Sequence, residues 1–77
     1  MNVRVRLFST FREYGPKGDD PVVLDLPDGV TVLHVLEAMG IPTKAQKVVL
    51  VNGRHAQEDS LVSEGDLVTL FPPVEGG

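Results

Sequence analysis

The residues of this 77-residue chain best placed to do chemistry lie in its last segment, Phe71-Pro72-Pro73-Val74-Glu75-Gly76-Gly77. Two successive glycines carry no side chain, so this segment suits a channel too narrow for any Cβ, and what it delivers there is the Gly77 carboxylate. At an average glycine usage of about 7%, such a pair ends roughly one chain in 200 by chance, which calls for a reason. Pro72 and Pro73 lack N–H donors and cannot continue a central strand. They also stiffen the chain toward extended polyproline geometry. From Pro72 to Gly77 the reach is on the order of 20 Å. The expectation is a stiff arm that suits a partner's active site, with Phe71, Pro72 and Pro73 at its base, Val74, Glu75 and Gly76 leading to its tip, and the Gly77 carboxylate as what it presents. Phe71 has an alternative role as a core residue of the last strand.

Other chemistry is poorly supported. The chain has no cysteine, which excludes disulfides, thiolate nucleophiles and cysteine-based metal sites. His34 and His55 lie on different elements without metal-ligand spacing, so no metal site is expected. Asp19-Asp20 and Glu58-Asp59 read as solvated turn residues rather than general acids or bases, and the serines and threonines are not expected to find histidine partners. An enzymatic role for the isolated chain is not expected. The net charge of −4 comes from seven Lys+Arg against eleven Asp+Glu, with no basic stripe for nucleic acid. Arg4, Arg6 and Arg12 suit the solvent side of a strand, with contact to an acidic partner as the alternative. No signal-peptide core and no membrane-length apolar run occur, so a cytoplasmic protein without membrane contact is the default.

The elements that must hold such an arm follow from periodicity. Val3, Val5 and Leu7 alternate with Arg4 and Arg6, the pattern of a half-buried strand over Val3–Phe8. Phe11–Tyr14 suits a short helical turn, and Val22–Leu26 a second strand closed by Pro27-Asp28-Gly29. Val32, Val35, Leu36 and Met39 form one apolar helical face, with Thr31 as N-cap and Gly40 just past the end. The apolar run Lys47–Val51 suits a strand covered on both faces, and Asn52-Gly53 turns it into a brief edge strand at Arg54–Ala56. Leu61-Val62 suits a tight turn, and Leu67–Phe71 forms the last strand. Gly29, Gly40, Gly53 and Gly65 fall at turns or a helix end, and none belongs to a phosphate-cradling loop. The order β-β-α-β-β-β, with first and last strands adjacent in the middle, predicts an α+β β-grasp (ubiquitin-like) fold. In it a mixed sheet of about five strands packs on one main helix. Residues 1–71 form the expected domain and 72–77 a flexible C-terminal tail.

The pattern Gly65-Asp66-x-Val68-x-x-Phe71-Pro72-Pro73-Val74-x-Gly76-Gly77 resembles the C-terminus of the MoaD/ThiS family of sulfur carriers. Within it, the chain is most like the small subunit of molybdopterin synthase. Leu7-Phe8-Ser9-Thr10-Phe11-Arg12-Glu13-x-Gly15 resembles that subunit's opening, and Val51-Asn52-Gly53 the family's central hairpin. The resemblance implies that an ATP-dependent, ubiquitin-activating-type enzyme adenylates the Gly77 carboxylate and that a sulfur donor converts it to a thiocarboxylate. The sulfur then passes to a synthase large subunit for molybdopterin. It implies no cofactor bound by the chain itself, ATP being used by the activating partner. Related branches serve thiamine, cysteine or tungsten-cofactor synthesis, or attach the terminal glycine to protein lysines. The absence of cysteine agrees with a carrier that holds sulfur on its terminus.

Overall fold

The computed structural model describes residues 1–15 and 21–73. Five strands are present: β1 (Asn2–Leu7), β2 (Val22–Asp25), β3 (Val48–Val51), β4 (Arg54–His55) and β5 (Leu67–Phe71). A 3₁₀ turn covers Ser9–Tyr14 and the helix α1 covers Val32–Met39. The strands form one sheet in the order β2-β1-β5-β3-β4. β1 and β5 are parallel neighbours at its centre, pairing Val5 with Val68 and Leu7 with Leu70. β2 flanks β1 and β3 flanks β5, both antiparallel. This is the ubiquitin-like arrangement expected from the order of elements, first and last strands side by side.

Strand alternation decides what is buried. Val3 and Val5 of β1, Val68 and Leu70 of β5, and Val49 of β3 share one sheet face and form one apolar core with Val32, Val35 and Leu36 of α1. Phe11, Val30, Ile41 and Val62 close its edges. The opposite face carries Arg4 and Arg6 of β1, Val23 of β2, Thr69 and Phe71 of β5, and Val48 and Leu50 of β3. No second layer covers it among the described residues, and Val23 is 61% exposed. The expectation that Lys47–Val51 is covered on both faces is therefore corrected. Only Val49 is buried, whereas Val48, Leu50 and Val51 are half-buried. The run is apolar on both faces although a single helix can cover only one.

The helix boundaries match the expected Val32–Met39. Gly40 adopts φ +75°, and its neighbour Ile41 donates its N–H to the Leu36 carbonyl at 2.9 Å. That is a Schellman closure, with Ile41 tucked into the core. At the other end the first free amides find partners in a distant loop. Val32 N–H donates to the Ser60 carbonyl and Leu33 N–H to that of Glu58, each at 2.9 Å. Leu61 does not lie in a tight turn as expected. It forms an isolated bridge with Thr31 that leaves its side chain 69% exposed. Among the described residues, no helix is long and apolar enough to cross a membrane.

Candidate functional site

The arm leaves the body from the end of β5, a strand paired on both sides. Its start is held most firmly. Asn52, at φ +53° in the β3–β4 turn, donates its N–H to the Leu67 carbonyl at 2.8 Å. Its side-chain oxygen accepts the Leu67 N–H at 3.0 Å, and its Nδ2 donates to Asp66 Oδ1 at 2.9 Å. The other Asp66 oxygen accepts the Ser63 N–H at 2.8 Å, while the Asp66 carbonyl accepts the Arg4 N–H. Gly65, at φ +80°, donates its N–H to the Asn2 carbonyl at 2.7 Å. The Asn2 N–H is in turn taken by the Glu64 carboxylate. The turn before β5 is thus tied to β1 on one side and β3 on the other.

At the far end of β5, the Leu70 carbonyl accepts the Phe8 N–H at 3.0 Å. Phe71 is half-buried and pairs with Val48 of β3, while Pro72 and Pro73 follow outside the strand and are also half-buried. The backbone of Phe71 completes the sheet and its side chain lies on the uncovered face. Val74, Glu75, Gly76 and Gly77 lie outside the described residues.

Beside this root is a notch of about 240 Å³ lined by Arg6, Leu7, Phe8 and Arg12. Phe8 is 46% exposed at its rim. The Arg6 Nε atom is buried without a hydrogen-bond partner. Arg4, two residues earlier on the same face, donates from Nη2 to the Gly65 carbonyl at 3.2 Å.

The remaining candidates resolve into structural roles. His34 does find a threonine, contrary to expectation. Its Nδ1 accepts the Thr31 N–H at 3.0 Å and lies 3.0 Å from the Thr31 hydroxyl. Three residues apart across a helix start, the pair is a capping device, with histidine where glutamate or glutamine usually reaches back. Glu58 is not simply a solvated turn residue either, since its Oε1 lies 3.1 Å from Lys47 Nζ. That ammonium also donates to the carbonyls of Thr43 and Ala45, at 2.9 and 3.2 Å, and the Lys47 side chain is 7% exposed. His55 is exposed on β4 and Asp59 is exposed in its turn, while Asp19 and Asp20 lie outside the described residues. No group of three or more metal-ligating side chains occurs among the described residues.

A half-open sheet on one helix, with a segment ending in Gly-Gly leaving its central strand, defines a small ubiquitin-like domain of the carrier or modifier class. The chain belongs to the ThiS family, whose sequence profile matches residues 5–77. The HVO 2177 protein of Haloferax volcanii is 31% identical, with a TM-score of 0.77 over 100% of this chain and 87% of that one. SAMP1 of the same organism is 26% identical with a TM-score of 0.78, each chain covered in full. A Pyrococcus furiosus protein described as subunit 1 of a molybdopterin converting factor is 29% identical. Its TM-score is 0.75 over 95% of this chain and 98% of that one. The chain therefore stands among ThiS/MoaD-type sulfur carriers and ubiquitin-like modifiers.

Proposed function

We propose that the chain is a sulfur carrier whose terminal Gly77 is adenylated, thiocarboxylated and then consumed as a sulfur donor in molybdopterin synthesis. The observation that carries this reading is the Pro72-Pro73-Val74-Glu75-Gly76-Gly77 segment issuing from the clamped central strand of a ThiS-family domain. A carboxylate resists substitution because oxide is a poor leaving group. Transfer of AMP from ATP, with release of pyrophosphate, gives an acyl-adenylate. A sulfur nucleophile then displaces AMP and leaves a thiocarboxylate on Gly77. ATP is bound by the ubiquitin-activating-type partner, so the carrier needs no cofactor of its own.

Each residue of the segment has a part in this scheme. Phe71, Pro72 and Pro73 dock against the partner, Val74 and Glu75 pass into its channel, and Gly76 clears the narrowest point. The second partner is the large subunit of a synthase that accepts the sulfur, and the setting is cytoplasmic. The likeness to a subunit of a molybdopterin converting factor across nearly the whole chain supports this branch. Intact-mass spectrometry after incubation with ATP, the adenylating enzyme of the same genome and a sulfide source tests it. A sulfur-for-oxygen gain on Gly77 is expected, and its absence would sink the reading.

The likeness to SAMP1 over the full length of both chains favours a second reading, conjugation of Gly77 to a lysine of another protein. High-mass conjugates that disappear when Gly77 is deleted would select this reading over sulfur transfer.

A further inference from the structure

We propose that the notch formed by Arg6, Leu7, Phe8 and Arg12 is a carboxylate-binding site. It receives an aspartate or glutamate side chain from the protein that takes up the tail. Arg6 carries the assignment. Its Nε is buried yet has no hydrogen-bond partner. A guanidinium nitrogen removed from water without an acceptor is disfavoured, and that cost is relieved when an acceptor arrives. Arg4 differs because the Gly65 carbonyl already engages it.

The lining selects the chemistry. Arg6 and Arg12 line the notch together with Leu7 and the exposed Phe8, in a chain whose net charge is −4. Guanidinium forks pair with carboxylates through two parallel hydrogen bonds. A polyanion such as nucleic acid would meet the repulsion of the whole chain, whereas a single carboxylate on a protein surface meets only the local positive charge. The apolar wall likewise suits a protein surface.

Position adds a second argument. Phe8 is hydrogen-bonded to Leu70, so the notch flanks the point where the tail leaves β5. The four residues beyond Pro73 span at most about 14 Å. A partner holding Gly77 in its active site must therefore place its channel mouth close to Arg6. The carboxylate assigned here sits on that mouth and fixes the angle of entry. The identity of this partner rests on the carrier reading above.

Two measurements test the site. In the first, Arg Nε–Hε correlations of the free chain are followed by NMR during titration with a blocked tetraglutamate peptide, sodium acetate, sodium phosphate or sodium chloride. The Arg6 signal is expected to move with the peptide and with acetate, and more than that of Arg54, which is exposed on β4. An equal response to chloride would overturn the proposal, and a response to phosphate alone would reassign the notch to a phosphate. This arm needs no partner, so it stands even if Gly77 is never thiocarboxylated. In the second, Arg6→Gln is compared with Arg6→Lys in carrier-dependent ATP–pyrophosphate exchange. Arg6→Gln is expected to raise the KM for the carrier about tenfold with kcat and Tm unchanged, and Arg6→Lys to recover part of the loss. An unchanged KM in a wild-type-competent assay would overturn the proposal, as would a loss that only tracks Tm.

Discussion

The Asn52 side chain bridges fourteen residues of sequence to hold Asp66, Nδ2 to Oδ1 at 2.9 Å, across the point where β5 begins. The same amide accepts the Leu67 N–H, so one turn residue fixes both the β3–β4 hairpin and the register of the central strand. Two properties of asparagine are used at once, tolerance of a left-handed backbone and a side chain with both donor and acceptor. Asn52→Gly keeps the first and loses the second. It is expected to lower stability by about 1–2 kcal/mol in urea denaturation. Asn52→Ala loses both and should cost more; equal stability of all three proteins would refute the clamp.

Lys47 ties two loops together and is best tested by removing its ammonium. Lys47→Met retains the buried stem but orphans the Thr43 and Ala45 carbonyls and the Glu58 carboxylate. A loss of about 1–3 kcal/mol is expected by chemical denaturation. Glu58 is partly exposed, so Glu58→Gln should cost less than about 1 kcal/mol. The reverse order would mean that the ion pair, rather than the carbonyl bonds, dominates.

His34→Ala removes the acceptor for the Thr31 N–H and should destabilise the chain by about 0.5–1 kcal/mol. His34→Gln restores a side chain that reaches back in the ordinary capping box and should recover most of it. Thermal unfolding of the pair decides, and a neutral alanine variant would show the contact to be incidental.

For the tail, one residue added after Gly77 should abolish the sulfur-for-oxygen mass gain while leaving Tm unchanged. The β5 clamp lies at the opposite end of the strand. A modified protein that still gains the mass would place the reacting group elsewhere.

Much of the body was legible in local pattern. The alternation of Val3, Val5 and Leu7, the face of Val32, Val35, Leu36 and Met39, and the Asn52-Gly53 turn each specify their element within a few residues. Gly29, Gly40, Gly53 and Gly65 all adopt positive φ at the turns and helix end assigned to them. What could not be read are pairings set by register and loop packing. Asn52 with Asp66 and Lys47 with Glu58 meet only because β3 and β5 are neighbours and the 56–62 segment crosses the helix start. Thr31 with His34 was within reach, since three residues apart at a helix start is capping-box spacing, but histidine is an unusual member. Apolarity of Val48 and Leu50 misled because it reports affinity for a covering, not whether that covering belongs to the same chain. The segment proposed to react, residues 74–77, lies outside the described residues, and the Gly76-Gly77 end that marks it is a feature of the sequence itself.

The parallel pairing of β1 with β5 has a mechanical consequence. A pull on the tail loads β5 along its own axis, in shear against β1 on one side and β3 on the other. Its ladder bonds then share the force together instead of opening one after another. Traction applied at the end of β5 is therefore borne by the whole ladder at once, and the body does not unzip.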